Sequence, residues 1–226
     1  PGTYTGKPVD FYGSLARTEA TGYGVAMMAR EALGKVGIDI NGAKVALQGC
    51  GNVGSYAGMY IEQFGAKVVI VGDYTGTIAN PDGIDMKALM AYIPTTPNRG
   101  IKGFPGAEAT DQNVLTANVD LLMPCALENQ LTAENANDVK AKVVCEGANG
   151  PTTPGADEIF AQKGITLVPD ILANSGGVTV SYYEWVQNLQ RDSWSFEEVD
   201  EKLKGIMSNI YRNCCDSAKE YGMEGN

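Results

Sequence analysis

Residues 49–54 read Gly-Cys-Gly-Asn-Val-Gly, a G-x-G-x-x-G spacing that is able to hold a phosphate group. The motif alone is weak evidence, so its surroundings decide how it is interpreted. It follows a short apolar run at residues 44–49 and opens a stretch of helical periodicity at residues 52–64. A continuous β-branched run comes next, at residues 67–71. The sequence therefore predicts a strand, a phosphate-binding turn, a helix and a second strand.

Each glycine of this turn has a separate task in such a unit. Gly49 permits the tight turn, Gly51 lets a pyrophosphate approach the backbone, and Gly54 lets the helix pack close to the strand. The first amides of the helix, at Asn52 and Val53, are then expected to face the anion. The alternative is that the glycines only make a tight strand-to-helix turn.

Asp73 ends the second predicted strand, 22 residues after Gly51. A carboxylate at this place accepts hydrogen bonds from an adenosine ribose and repels a 2′-phosphate, so NAD is the expected cofactor. Asp73 alone does not exclude NADP, because Arg99 and Lys102 in a later loop could reach a 2′-phosphate. Asp73 could also be a solvated acid at the end of a strand.

Composition excludes several other kinds of chemistry. The chain has 226 residues and no histidine, which removes Ser-His and Cys-His catalysis, histidine metal sites and the commonest general base. Its formal charge of −10 argues against nucleic-acid or anionic-membrane partners. We expect no metal site and no membrane span. Five cysteines without framework spacing indicate reduced thiols and a cytoplasmic location.

The elements around the motif predict an α/β fold, a Rossmann-like doubly wound and mostly parallel sheet with helices on both faces. A helix is expected from about Thr18 to the glycines at 34 and 37, and residues 72–111 form an elaborated edge of the sheet with one short helix. Later strands are predicted at 119–123, 141–145 and 165–168, and later helices at 156–163, at 177–186 and from about Phe196. No linker divides the chain, so we expect one dinucleotide-binding domain over residues 1–226.

Three segments resemble the cofactor-binding domain of the hexameric glutamate dehydrogenases of bacteria. They are the entry at residues 5–25, with Thr-Gly-Lys-Pro and Ala-Thr-Gly-Tyr-Gly-Val, the block Glu-Gly-Ala-Asn-Gly-Pro-Thr-Thr-Pro at 146–154, and the block at 169–188. Tyr12 and Ala16 stand where that family usually has glycine. The likeness covers nearly the whole chain and agrees with the order of the predicted elements.

The resemblance implies roles for further residues. Thr21 would contact the nicotinamide carboxamide with Arg17 nearby, and Ala126, Asn149 and Asn174 would line the nicotinamide side of the cleft. Val178 and Ser181 would border the substrate, with Ser181 donating to the side-chain carboxylate of glutamate. The sequence itself agrees in part, because several of these residues follow predicted strands and so fall at the carboxyl edge of the sheet. The asparagines could instead close turns, and Ser181 could bond to its own helix.

The resemblance also implies what this chain does not carry. The catalytic lysines and aspartate of the family belong to an N-terminal substrate domain, which no segment here resembles, and Lys7 is expected in the connection between domains rather than in catalysis. Both ends are expected to be truncated relative to the family, since its C-terminal helices are also missing. The catalytic residues are therefore expected outside this chain.

The expected function is NAD-dependent oxidative deamination of L-glutamate to 2-oxoglutarate and ammonia in the intact enzyme. The isolated chain is expected to bind cofactor and to be inactive, and to be a monomer or weak dimer, whereas the parent is a homo-hexamer. Two alternatives stay open at this point. One is a domain of a related leucine, phenylalanine or valine dehydrogenase, and the other is a stand-alone, non-catalytic nucleotide-binding module.

Overall fold

The computed structural model describes residues 3–223, which form seven strands and seven α-helices joined by short 3-10 turns. The strands are β1 (Lys44–Gln48), β2 (Lys67–Asp73), β3 (Gly76–Ala79), β4 (Glu108–Thr110), β5 (Leu121–Pro124), β6 (Val143–Cys145) and β7 (Thr166–Val168). The helices are α1 (Ala20–Lys35), α2 (Asn52–Gln63), α3 (Met86–Tyr92), α4 (Pro154–Lys163), α5 (Asp170–Ala173), α6 (Ser175–Gln190) and α7 (Phe196–Glu220).

All seven strands belong to one sheet with the order β4-β3-β2-β1-β5-β6-β7. β2, β1, β5, β6 and β7 are parallel, and β3 and β4 add an antiparallel edge. The chain runs outward from β1 through β2 to β4 and then returns to the other side of β1 with β5. The strand order therefore reverses between β1 and β5, where open α/β sheets form a crevice for ligands.

Successive residues of the central strands alternate between two cores, because side chains in a strand point to opposite faces. Val45 and Leu47 join a large core with α1, α2, α6 and α7, whereas Ala46 joins a second core on the opposite face. Phe160 of α4 is buried in that second core. The sheet is thus covered on both sides, which confirms the predicted doubly wound fold.

The segment expected as an elaborated sheet edge contains β3, α3 and β4. β3 and β4 have four and three residues, too few for the alternation of a strand to show in the sequence. α3 begins after Asp85, whose carboxylate accepts a hydrogen bond from the amide of Ala88 and so caps the helix.

Helix α7 begins at a reciprocal cap. The Ser195 side chain accepts from the amide of Glu198, and the Glu198 side chain accepts from the amide of Ser195. Val199, Leu203 and Met207 then bury one face of the helix against the core. Within residues 3–223, no helix is both long and apolar enough to cross a bilayer.

Candidate functional site

The glycine-rich turn between β1 and α2 has the geometry of a phosphate loop. Gly49 has a φ of 90°, a conformation that favours glycine, and its amide donates to the carbonyl of Gly72 over 2.7 Å. Gly51 is the N-cap of α2, and a Cβ added there would meet no atom within 4 Å. At Gly54, a Cβ would collide with the carbonyl oxygen of Gly49. The three glycines thus stand where the sequence analysis expects them, one for the turn, one open to a ligand and one for close packing.

The first amides of α2 have no partner inside the helix, because a helix leaves its N-terminal N–H groups unpaired. The amides of Asn52 and Val53 belong to this set and lie beside the open position at Gly51. The Asn52 side chain itself donates to the carbonyl of Thr18 over 2.9 Å and fastens the loop to the segment before α1. Any contact of Asn52 with a cofactor is therefore expected from its backbone.

Cys50 lies inside the phosphate loop as a neutral thiol. Burial raises its pKa to about 11, with a further contribution from the charge of Asp73 that a hydrogen bond from Ser55 opposes. A protonated thiol adds no negative charge beside an anion site, and a raised pKa removes the thiolate that redox chemistry requires.

Asp73 ends β2, as the sequence predicts, and its carboxylate organises the neighbouring loop. Oδ1 accepts from the amide and the hydroxyl of Thr75 at 2.7 and 2.5 Å, and Oδ2 accepts from the amide of Ile101 at 3.0 Å. These bonds hold residues 96–102 against the end of β2. Three of the four lone-pair positions of the carboxylate are thereby used, which leaves one for a further donor.

Of the two loop cations considered in the sequence analysis, the structure brings Arg99 to the phosphate loop. Arg99 lines a cleft of about 350 Å³ together with Gly51 and Asn52. Lys102 lines two other cavities, beyond the turn that follows Asp73.

A larger cleft of about 700 Å³ opens at the carboxyl edge of the sheet beside the phosphate loop. Its walls come from α1, the phosphate loop, the loops after β5, β6 and β7, and α6. Eight of the predicted site residues line it: Arg17, Thr21, Val53, Ala126, Asn149, Asn174, Val178 and Ser181. Val53 is the second residue of α2, so the phosphate loop and this cleft share a wall.

The close approach of α1 and α6 brings two walls of the cleft together. A Cβ on Gly176 would collide with the carbonyl oxygen of Ala20, and one on Gly177 would collide with the hydroxyl of Thr21. With glycine at both positions, the start of α6 lies directly against α1. Arg17 Nε then donates to Ser181 Oγ over 2.8 Å across the cleft wall.

The asparagines on the opposite wall are also paired. Asn174 Nδ2 donates to Asn149 Oδ1 over 2.7 Å and is 3.5 Å from the carbonyl oxygen of Gly147. Behind them lies Glu146, a carboxyl group that is only 5% exposed. Burial raises the pKa of Glu146, hydrogen bonds to its carboxylate, among them the one from the Asp170 amide, act in the opposite direction, and the charge of Asp170 adds a smaller increase.

Several residues of the cleft were not expected. They are Cys125, Leu127, Glu128, Gly147, Ala148 and Gly177. Five of them directly follow β5 or β6 in the chain, so the rule that ligand loops follow parallel strands is the signal that would have found them. Among the described residues that line the cleft, Arg17 is the one cation and Glu128 the one acid.

Lys7 does not line the cleft. Its Nζ contacts Glu184 Oε1 at 2.5 Å and the carbonyl oxygen of Tyr4 at 2.6 Å. The Glu184 side chain is fully buried, and it also accepts from the amides of Gly6 and Lys7 at 2.8 and 3.3 Å. This clamp ties the entry segment to α6. Residues 3–223 contain no group of three or more metal-ligating side chains.

Comparison with known proteins adds independent information. The profile of the glutamate/leucine/phenylalanine/valine dehydrogenase family matches residues 13–225. The chain is 48% identical to the NAD-specific glutamate dehydrogenase of Clostridioides difficile, over 98% of this chain and 54% of that protein. It is 45% identical to the NADP-specific glutamate dehydrogenase A1 of Halobacterium salinarum, over 98% of this chain and 53% of that protein.

A solved structure of a glutamate dehydrogenase is also similar to this chain. The hetero-hexameric glutamate dehydrogenase of Thermus thermophilus, in a leucine-bound form, superposes with a TM-score of 0.90 at 31% identity. The match covers 98% of this chain and 52% of that one. The chain thus spans about half the length of the curated relatives it matches.

Proposed function

The chain belongs to the glutamate/leucine/phenylalanine/valine dehydrogenase family, and we propose that it is the cofactor-binding half of a glutamate dehydrogenase. In the intact enzyme it would hold a nicotinamide dinucleotide while L-glutamate is oxidised to 2-oxoglutarate and ammonia. The observation that carries the proposal is the shared wall at Val53. It joins a phosphate loop to a cleft of about 700 Å³ at the point where the strand order reverses.

The residues present fit a dinucleotide. Gly51 leaves open space at the N-terminus of α2, where the amides of Asn52 and Val53 would bind the pyrophosphate. The last lone-pair position of Asp73 would accept from the adenosine ribose. On the other side of Val53, Thr21, together with the residues at 126, 149 and 174, would hold the nicotinamide and its ribose. When bound, the nicotinamide ring accepts the hydride from the substrate.

NAD is the proposed cofactor, and the same site would also admit NADP. The relatives include one named NAD-specific and one named NADP-specific, so the family accommodates both. In this chain, Asp73 favours a free 2′-hydroxyl, because its negative charge repels a phosphate. Arg99 beside the phosphate loop supplies an opposing positive charge.

Glutamate is the proposed substrate because the cleft offers a polar, positively charged corner. The Arg17 guanidinium donates to Ser181 Oγ, and this leaves the Ser181 hydroxyl proton free to donate to an acceptor such as the side-chain carboxylate of glutamate. Val178, which is exposed on the cleft wall, would contact the aliphatic part of the substrate.

Deamination needs a base that activates water and a cation that polarises the developing carbonyl. The charged groups among the described lining residues are Arg17, which donates to Ser181, and Glu128, which is exposed at the cleft mouth, and neither resembles the family's catalytic lysines and aspartate. Lys7 is held by Glu184 away from the cleft. We therefore place the catalytic residues in the remainder of the parent polypeptide, and we treat residues 1–226 as one cofactor-binding domain.

The assembly follows from the same proposal. The parent enzyme would be a hexamer, as the Thermus thermophilus relative is by its description, and the cofactor-binding piece would be a monomer or weak dimer. The substrate and product of the intact enzyme, glutamate and 2-oxoglutarate, would bind between this domain and the rest of the enzyme.

Isothermal titration calorimetry of the 226-residue chain with NAD and with NADP tests the proposal, together with a glutamate deamination assay. The expected result is binding of NAD without turnover. Failure to bind either dinucleotide would refute the assignment of the site, and measurable deamination would refute the location of the catalytic groups. A panel of glutamate, leucine, phenylalanine and valine on the full-length enzyme tests the substrate, where a preference for an apolar amino acid would contradict glutamate.

A further inference from the structure

Two segments present the asparagine pair to the cleft. The loop after β6 carries Asn149, and Asn174 follows the short helix α5, which comes after β7. Their mutual hydrogen bond leaves one donor, Nδ2 of Asn149, and one acceptor, Oδ1 of Asn174, without a partner among the residues the structure describes. A donor and an acceptor side by side suit a ribose hydroxyl or a carboxamide, which both donate and accept.

The ladder between β6 and β7 ends before it reaches the asparagines. β6 and β7 have three residues each, and the last backbone hydrogen bond between them runs from the amide of Glu146 to the carbonyl of Val168 over 3.1 Å. Pro169 follows and has no N–H to continue the ladder. The loop after β6 is bonded to β5 through the amides of Gly147 and Ala148, which both donate to the carbonyl of Pro124 over 3.0 Å. Among the residues the structure describes, no backbone hydrogen bond beyond Glu146 joins this loop to the segment after β7, so side chains must make that connection.

Two carboxylates make that connection, and they do so reciprocally. Glu146, from the loop after β6, accepts from the amide of Asp170 through Oε2 over 2.9 Å. Asp170, from the segment after β7, accepts from the amide of Gly150 through Oδ2 over 2.7 Å. Each loop therefore binds the backbone of the other through an acid. We call this pair, Glu146 and Asp170, the loop brace.

Burying the charge of Glu146 in the loop brace costs free energy, and close packing restricts the loop after β6 on its other side. Glu146 is buried beside a second acid, which opposes its ionisation, so an apolar contact would be a cheaper way to join two loops. On the cleft side, a Cβ on Gly147 would lie 2.5 Å from Cys125 Sγ and 3.2 Å from Val53 Cγ1. The loop is thus held between the brace on one side and the phosphate-loop wall on the other.

We infer that Glu146 and Asp170 are positioning residues that fix the two asparagine side chains for the nicotinamide end of the dinucleotide. The inference rests on the proposed function. The inference adds to the proposed function a structural cause for the orientation of Asn149 and Asn174. Neither acid lies among the described residues that line the cleft, so both act through the asparagines and not by touching the ligand.

The test compares a ligand that reaches the nicotinamide end with one that does not. ADP carries only the adenosine and the pyrophosphate, whereas NAD extends to Asn149 and Asn174. Asp170→Ala removes the acceptor for the Gly150 amide and is expected to weaken NAD binding about tenfold, the effect of losing one charge-assisted hydrogen bond. The affinity for ADP is expected to change less than about twofold, because the phosphate loop is untouched.

Three further variants sharpen the readout. Asp170→Asn keeps an oxygen acceptor and should restore most of the NAD affinity. Glu146→Gln keeps an acceptor for the Asp170 amide and should retain most of the NAD affinity of the parent. The exposed Asp138→Ala is the matched control, since it changes charge equally outside the brace and should leave both affinities unchanged.

The outcomes separate the inference from the proposed function. An unaltered NAD affinity in Asp170→Ala, or equal losses for NAD and ADP, would overturn the positioning role. A loss that Asp170→Asn does not rescue would overturn it as well. A parent chain that binds neither ligand would refute the dinucleotide site itself and the brace with it. Thermal unfolding of each variant identifies any global loss of structure, which would appear as a loss for both ligands.

Discussion

The substitution Gly51→Ala separates ligand binding from folding in the phosphate loop. Gly51 has φ −78° and ψ −163°, which alanine adopts without strain, and its added Cβ would meet no atom within 4 Å. The new methyl group would instead occupy the space in front of the first amides of α2. We therefore expect a folded protein with a damaged pyrophosphate site.

The expected magnitudes follow from these contacts. Replacing glycine stabilises by about 0.4–1 kcal/mol through the unfolded chain, and the poorer N-cap that alanine makes costs a similar amount. The net change in the free energy of unfolding is thus within about 0.5 kcal/mol, or a melting shift below about 2 °C. Displaced charge-assisted hydrogen bonds are worth about 1.5–3 kcal/mol each, so NAD affinity should fall at least about tenfold.

Gly49→Ala is the matched comparison, because here the added Cβ is expected to damage folding. Gly49 has a φ of 90°, and its added Cβ would lie 2.9 Å from three atoms of Ala126. Backbone strain and overpacking together cost about 3 kcal/mol, a melting decrease of roughly 6–12 °C. Differential scanning fluorimetry and calorimetry with NAD measure both quantities for both variants. A Gly51→Ala protein that binds NAD as the parent does would refute the assignment of the pyrophosphate to this position.

Three other predictions concern the clamp and the cofactor choice. Lys7→Met should lower the free energy of unfolding by about 2 kcal/mol, because Glu184 stays buried without its cation. The control Lys204→Met, at an exposed ion pair, should lower it by less than about 1 kcal/mol. Equal melting shifts for the two variants would contradict the clamp. Burial alone would raise the pKa of Glu184, but hydrogen bonds from Lys7 and Gly6 outweigh it and hold the pKa below its ordinary value. The stability that the clamp contributes should therefore be fully present above the ordinary glutamate pKa and be lost as the pH falls through the lowered pKa of Glu184. In urea unfolding, the difference in the free energy of unfolding between the parent and Lys7→Met should shrink in acid. A difference that grows in acid would contradict the clamp. Arg99→Ala should weaken NADP binding about tenfold in calorimetry and leave NAD within about twofold, and equal losses would instead place Arg99 on the pyrophosphate.

The parts of the fold that could be predicted are those with a local pattern. The apolar runs of β1 and β2 and the periodicity of α2 lie next to one another in the chain, and the glycines between them have a conformational cause. β3 and β4 are short and polar, so the sequence indicated an elaborated sheet edge but not its two antiparallel strands.

The position of the candidate cleft could be predicted only where the order of the elements in the chain determines it. Residues that follow parallel strands meet at one edge, and this explains the placement of Ala126 and Asn149. Pairings between distant residues have no local signal. The Glu184 clamp joins positions 177 residues apart, and the inward bonds of Asp73 depend on where the loop at 96–102 folds back. Such contacts follow from tertiary packing and are visible only in the structure.

A crystal structure of this chain with NAD bound tests the proposed site most directly. We expect the pyrophosphate at the amides of Asn52 and Val53, and the nicotinamide in the cleft between Thr21 and Ala126. A dinucleotide bound away from the phosphate loop, or one whose nicotinamide end leaves the cleft empty, would contradict it.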